Sequence, residues 1–314
     1  MVSLRLVRGR SYAWRSPYTQ KFYRFRAGEN VALGEGSDRD WEWLMGGSGA
    51  VFEECPALGP RFREAALVAR FEGGGAKRLL VCRGRGLGDV LLLTPALREW
   101  QRRYPESTVA LAVDPGYRSL FSGLGWEALS IGEAYALSPW DAVADLNFYA
   151  ERTPLDLVEH RSRVFGYGLG LRELPDLKMV CNVSPEDRST ATERLAGFVR
   201  PIIVVQAEAS VSIRCPSPER MAALGALLAR LGTVVLMGGA VPCPPDVVDW
   251  QGSVGSVGLA AAIIEQADVV VGHDSGLTHL ANALRVPCAA LFGPGAPELR
   301  VGGQPTCRPL RLWE

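Results

Sequence analysis

Apolar positions along this chain follow two periods. From residue 78 onward, short leucine or β-branched runs alternate with stretches in which apolar residues recur every three or four positions, the pattern of buried parallel strands overlaid by helices. Strands are expected at Arg78–Cys82, Thr108–Val113 and Ala142–Leu146, with Val90–Tyr104 the clearest of the intervening helices. Ser184-Pro185-Glu186-Asp187 has the form of a helix start, a capping serine followed by proline at the first helical position. Beyond it, strands at Ile202–Gln206, Thr233–Met237, Val269–Val271 and Pro287–Phe292 alternate with helices at Pro218–Leu231, Val257–Gln266 and Gly276–Arg285. Two successive doubly wound α/β units follow, residues 77–184 and 185–314, with no long-period repeat.

Residues 1–72 read differently. Between Met1 and Asn30, seven basic residues face one acid, Glu29, and are interleaved with Tyr12, Trp14, Tyr18, Phe22, Tyr23 and Phe25. Alternating runs such as Lys21–Arg26, followed by Ala27-Gly28, predict a small β-rich module. Ser37-Asp38-Arg39-Asp40 reads as the cap of a short helix, Trp41–Met45, ended by Gly46-Gly47. Asp38 and Asp40 also mimic the metal-binding carboxylate pair of some sugar transferases, but their place at a helix start favours capping. The basic and aromatic mixture suits a nucleic-acid or partner surface, or more commonly an aromatic core with arginines on its wet face. Glu72-Gly73-Gly74-Gly75-Ala76-Lys77 reads as a flexible joint.

Composition narrows the function classes. With 314 residues, 47% hydrophobic and 22% charged, the chain is long enough for two or three cored domains. Lys plus Arg and Asp plus Glu number 34 each, so no global field favours nucleic acid or a membrane surface, and nucleic acid is not an expected partner. No apolar run approaches the length of a membrane span, and the arginine-bearing start lacks a signal-peptide core, so a cytoplasmic location is expected. Seven cysteines form no C-x-x-C pair, which suggests reduced thiols and no metal cage.

Two turns carry candidate chemistry. Val269-Val270-Val271-Gly272-His273-Asp274-Ser275-Gly276 leads a strand into a helix, and the first amides of such a helix, with the positive end of its dipole, suit a diphosphate. The alternative is a plain capped turn. The first unit opens with Cys82-Arg83-Gly84-Arg85-Gly86-Leu87-Gly88-Asp89; its glycine spacing is not G-x-G-x-x-G and it lacks a Walker lysine. Asp89 lies at a helix start on the carboxyl edge of the first strand, where it reads as an N-cap or as a general base.

Arg83–Arg98, with Gly88-Asp89-Val90 and Thr94-Pro95-Ala96-Leu97-Arg98, together with Asp274–Leu280 and Leu291-Phe292-Gly293-Pro294, resembles glycosyltransferase family nine, the heptosyltransferases of lipopolysaccharide synthesis. The resemblance covers about residues 78–300 and implies the GT-B fold, two facing Rossmann-like domains: an acceptor domain over 77–184 and a nucleotide-sugar donor domain over 185–314. It implies inverting transfer from a nucleotide diphosphate sugar to a glycan, lipid-linked or protein hydroxyl, with no metal and no further cofactor. Asp89 would deprotonate the acceptor, Gly88 and Arg85 would face it, and Asp274, Ser275, Gly276, His279, Arg214, Gly238 and Gly239 would hold the donor.

This chain departs from the family at several places. Ile213 and Cys215 flank Arg214 where the family has a lysine and a tryptophan, and Ala240 follows Gly238-Gly239 where a ribose-holding glutamate is usual. The family usually adds a C-terminal segment crossing back to the first domain. The 1–72 module is foreign to it; the spacing of Phe22–Phe25, Gly28, Trp41–Leu44 and Phe52 is similar to small phage structural proteins, and acceptor binding or homo-oligomer contacts are its expected role. The rival to an enzyme is an inactive GT-B binding or assembly protein, of the kind a phage would use; a Rossmann oxidoreductase lacks its glycine fingerprint.

Overall fold

Arginines alternate with aromatic residues at the start of the chain, and that period of two forms strands. The computed structural model describes strand backbones at Ser3–Arg8 (β1), Ser11–Arg15 (β2), Phe22–Arg26 (β3), Asn30–Ala32 (β4) and Val51–Cys55 (β5), then residues 64–312 except Arg85 and residues 210–213. β2 and β3 pair antiparallel with Tyr12 opposite Phe25 and Trp14 opposite Tyr23, while β1 lies between β4 and β5. The expected helix at Trp41–Met45, with Asp38 and Asp40, falls outside the described residues, as do Arg85 and Ile213.

Helix α1 (Glu64–Glu72) belongs to the packing of the first α/β unit, although its sequence reads as part of the preceding module. Leu67 and Phe71 are buried, and Phe71 meets the fully buried Trp100 edge-on at 4.9 Å between ring centroids. The three glycines that follow close this helix instead of forming a free joint: the Gly73 and Gly75 amides donate to Ala69 and Arg70 carbonyls at 3.0 Å, with Gly74 in the left-handed region at φ 67.

The first sheet has order β8-β7-β6-β9, all parallel, from Arg78–Cys82 (β6), Thr108–Ala112 (β7), Glu127–Leu129 (β8) and Ala142–Asp145 (β9). Helices α2 (Leu87–Arg103), α3 (Arg118–Phe121), α4 (Ile131–Ala136), α5 (Tyr149–Arg152) and α6 (Arg161–Gly168) follow its strands. α7 (Pro185–Leu195), capped by Ser184, leads into the second sheet, order β12-β11-β10-β13-β14-β15 and again all parallel. Its strands are Ile202–Gln206 (β10), Thr233–Met237 (β11), Val248–Asp249 (β12), Val269–His273 (β13), Cys288–Phe292 (β14) and Cys307–Arg311 (β15). Its helices are α8 (Pro218–Leu228), α9 (Val257–Gln266), α10 (Gly276–Ala283) and α11 (Glu298–Val301).

Strand order reverses beside β6 in one sheet and beside β10 in the other. Crossovers to opposite faces leave a crevice at the carboxyl ends of β6 and β9, and another at those of β10 and β13. The Asp89 turn leaves β6 and the Asp274 turn leaves β13, so each candidate turn opens onto a crevice of its own sheet.

Candidate functional site

In the first crevice, the Gly84 amide donates to Asn147 Oδ1 at 2.9 Å, tying the loop after β6 to the loop after β9. Gly86, at φ 75, is the residue that caps α2, which leaves Asp89 inside the first turn; the N-cap role considered for it is therefore corrected. The Asp89 carboxylate is instead held at both oxygens. Arg83 Nη2 donates to Oδ2 at 2.5 Å and Arg161 Nη1 to Oδ1 at 2.6 Å. Arg83 also meets Glu151 at 3.0 Å, and Arg161 grips Asp156 with Nε and Nη2 at 2.8 and 2.6 Å. Burial pushes the Asp89 carboxyl upward, but Arg161 and Arg83 outweigh it and hold the group below the usual carboxylate range. At neutral pH it is an anion, able to accept a proton yet weakly basic while both arginines stay in place.

His160 precedes Arg161 and caps α6, its Nδ1 accepting from the Ser162 amide at 3.2 Å, while its Nε2 is buried without a hydrogen-bond partner. Burial, with the neighbouring His279 next in weight, lowers its pKa to about 4, so the ring is neutral at physiological pH.

In the second crevice, Ser275 is the N-cap residue of α10, but its hydroxyl points to Gln206 Oε1 and does not cap the helix amides. The leading amides of α10 are thus left for a ligand. Asp274 Oδ1 lies 3.6 Å from His279 Nε2, and Oδ2 lies 3.5 Å from Arg214 Nη1, which donates to the Asp274 carbonyl at 3.1 Å. Burial acts to raise the Asp274 carboxyl, and His279, Arg214 and Arg300 together keep it below its ordinary value. A cavity of about 260 Å³ opens here, lined by Arg214, Asp274, Phe292, Gly293, Pro294, Gly295 and Arg300. Gly238 and Gly239 follow β11 at φ 63 and 101; a Cβ on Gly239 would lie 2.9 Å from the Glu208 amide, so that turn admits only glycine. The Glu208 carboxylate accepts from the Ala240 amide at 3.3 Å, bringing an acid from the β10 loop to the Gly238-Gly239 turn.

The two turns meet across the seam between the units. A Cβ on Gly88 would lie 2.7 Å from His279 Cδ2 and 3.7 Å from the Gly276 amide, and one on Gly276 would lie 3.2 Å from Leu87 Cβ. Glycine at both places lets the N-termini of α2 and α10 approach to backbone contact. The structure therefore gathers Gly88, Asp89, Arg214, Asp274, Ser275, Gly276 and His279 about one cleft. It adds Arg83, Glu151, Asp156, Arg161 and Arg300, which the sequence reading did not single out as site residues. Arg83 stands inside the quoted motif, but the others lie in segments with no motif, and only their ion pairs reveal them. Among the described residues no group of three His, Cys, Asp or Glu side chains is arranged to hold a metal ion, and no helix is long and apolar enough to cross a membrane.

Residues 256–303, which contain α9, the Asp274 turn and β14, match the family model described as Glycosyltransferase family 9 (heptosyltransferase). No curated protein matches the sequence. Among solved structures, the chain is similar to the glycosyl transferase family 9 protein of Veillonella parvula DSM 2008, with a TM-score of 0.65 and 19% identity over 76% of this chain and 88% of that one. It is similar to the E. coli ADP-heptose lps heptosyltransferase II, with a TM-score of 0.62 and 19% identity over 75% and 90%. It is also similar to the dodecameric iron-containing heptosyltransferase TibC of enterotoxigenic E. coli H10407 bound to ADP-D-beta-D-heptose, with a TM-score of 0.57 and 15% identity over 94% and 70%. The two parallel sheets have the Rossmann-like GT-B arrangement of these proteins.

Proposed function

We propose that this chain is a transferase of the glycosyltransferase family 9 type, which moves a sugar from a nucleotide diphosphate donor to a hydroxyl acceptor with inversion and without a divalent metal. The observation that carries the reading is the contact between the two crevice turns, Gly88-Asp89 from the first unit and Ser275-Gly276 with His279 from the second. The diphosphate would lie against the α10 amides, with Arg214 beside them, where a helix dipole and a guanidinium supply the positive potential that a cation would otherwise bring. Glu208 and the Gly238-Gly239 turn border the place for the nucleoside.

Asp89 approaches from the opposite domain. The acceptor oxygen forms its bond to the anomeric carbon from the Asp89 side, its proton passes to the Asp89 carboxylate, and the carbon–oxygen bond to the diphosphate breaks with its electron pair leaving toward α10. Attack and departure on opposite faces invert the anomeric centre. The acceptor class is a glycan, a lipid-linked glycan or a protein hydroxyl. We further propose that the chain assembles through its N-terminal strands; the similarity over 94% of the chain to a protein described as dodecameric supports this, and mass in solution tests it. Release of nucleoside diphosphate from a panel of nucleotide sugars, with stereochemistry read by NMR, tests the transfer itself. A binding protein without turnover is the second reading, favoured by the engagement of both Asp89 oxygens; stoichiometric donor binding with no product would select it.

A further inference from the structure

Arg300 belongs to both halves of the cleft. It lines the second-domain cavity with Arg214 and Asp274, while its Nη2 donates to Asp156 Oδ2 of the first domain at 3.0 Å. That same oxygen accepts from Arg161 Nη2, and Arg161 Nη1 holds Asp89. The order Arg300, Asp156, Arg161, Asp89 is thus a row of alternating charge that starts in the donor cavity and ends on the proposed base. With Arg83 on Glu151 and Arg214 on Asp274, each guanidinium in this region already faces a carboxylate. A donor diphosphate brings about two negative charges into a partly desolvated space beside Asp274 and Asp156, where unbalanced charge is costly. A cation must change partner. Arg300 can do so from where it stands, because its guanidinium already borders the cavity and α11 follows directly on Gly293-Pro294-Gly295. Asp156, left without Arg300, keeps only Arg161, which already grips it through two nitrogens.

We propose that Arg300 is a positioning residue that exchanges Asp156 for the donor's diphosphate, so that donor arrival draws Arg161 onto Asp156 and frees an oxygen of Asp89 for the acceptor hydroxyl. The inference rests on the reading of this cleft as a nucleotide-sugar site. It gives the clamp at both Asp89 oxygens a role, since the proton acceptor becomes available only when a sugar is in place to receive the nucleophile.

The test compares the wild-type chain with Asp156→Asn and Arg300→Met, using calorimetry with ADP, GDP, UDP and CDP and turnover with the matching nucleotide sugars. Asp156→Asn removes the partner that competes with the diphosphate, so the best nucleoside diphosphate binds about 3- to 10-fold tighter, while turnover falls about tenfold or more because Arg161, with only the more distant Glu151 besides, is left committed to Asp89. A purely structural Asp156 would not move these two readouts in opposite directions. Arg300→Met supplies an independent arm, weakening the nucleoside diphosphate about tenfold or more through loss of a charge-assisted contact. Weaker or unchanged binding in Asp156→Asn, undiminished turnover in that variant, or unchanged binding in Arg300→Met overturns the exchange while leaving the transferase reading intact, provided the wild-type chain binds a nucleoside diphosphate. If the wild-type chain binds none of the four, both fall together.

Discussion

Replacing Asp89 by asparagine strikes the one group that the proposed transfer needs as a base. The amide keeps the shape and still accepts from one arginine, but it cannot take a proton from the acceptor and it removes the negative charge between Arg83 and Arg161. Loss of a general base lowers the rate by about 10² to 10⁴. The stability cost follows from what each arginine keeps. Stripping a buried charge of all its partners costs about 3–5 kcal/mol. Arg83, however, retains Glu151 at 3.0 Å and the Leu146 carbonyl at 3.2 Å, and Arg161 retains both contacts to Asp156. The expected loss is therefore about 1–3 kcal/mol. Because the folded Asp89 carboxyl is held below its ordinary value of 3.8, its contribution is whole above that value and disappears as pH falls through the folded value. The variant should accordingly lose stability at pH 7 and much less at the acid end. Nucleoside diphosphate release gives the rate, calorimetry the donor affinity, and thermal unfolding at several pH values the stability. Near-normal turnover in a folded Asp89→Asn chain would remove Asp89 from the chemistry and leave it an ion-pair residue; a collapse of donor affinity with no change in turnover at saturation would contradict its assignment to the acceptor side.

Four further outcomes follow from the same geometry. Gly88→Ala places a methyl 2.7 Å from His279 Cδ2, about 1 Å inside ordinary contact, and should part the seam enough to lower kcat about 10²-fold with only a modest stability loss, as single-turnover rates would show. Transfer should survive EDTA; a rate that collapses on chelation and returns with magnesium or manganese would refute the helix-end account and bring Asp38 and Asp40 back into consideration. A chain beginning near Glu64 should stay soluble and bind nucleotide, whereas one beginning near Ala76 strips Phe71 from Trp100 and Leu67 from the same core and should lose on the order of 3–6 kcal/mol, read from thermal unfolding and solution mass. His160 titrates near 4 when folded and near 6.5 when unfolded, so the unfolded chain takes up the proton first as pH falls; stability should drop by on the order of 2–3 kcal/mol between pH 6.5 and 4, and His160→Asn, which can keep the cap, should flatten that slope.

The alternation of apolar runs was enough to predict the strands of both sheets that are buried on two faces. Ile202–Gln206 and Thr233–Met237 form at the predicted bounds, since a short continuous apolar run has few other ways to satisfy its backbone. Three of the four edge strands of these sheets escaped, Ala142–Asp145 being the exception. Glu127–Leu129, Val248–Asp249 and Cys307–Arg311 are short or largely polar, and Pro309 lies inside the last; what makes them strands is a neighbour already in place, which leaves no periodic mark. Residues 64–72 fall in the N-terminal stretch of the sequence reading for a related reason: their helix packs through Phe71 on Trp100, which lies beyond the glycines that looked like a joint.

The candidate site divides along the same line. Turn chemistry is local, so Gly88-Asp89 and Asp274-Ser275-Gly276 could be picked out from a dozen residues each. Their meeting across the seam could not, because it depends on two sheets presenting their carboxyl ends to one cleft. Charge pairing is less local still. Arg161 reaches Asp89 from 72 residues away and Arg300 reaches Asp156 across 144, in segments whose own patterns say only that a charged residue lies near a helix end. Two doubly wound units and the turns that open their crevices were legible in the residues alone, since backbone hydrogen bonding and burial act over short windows. That Asp89 is held by two arginines, and that one of the cavity's own cations is committed to the opposite domain, emerges with the folded chain, because ion pairs are set by distance in space and the chain carries no local record of it.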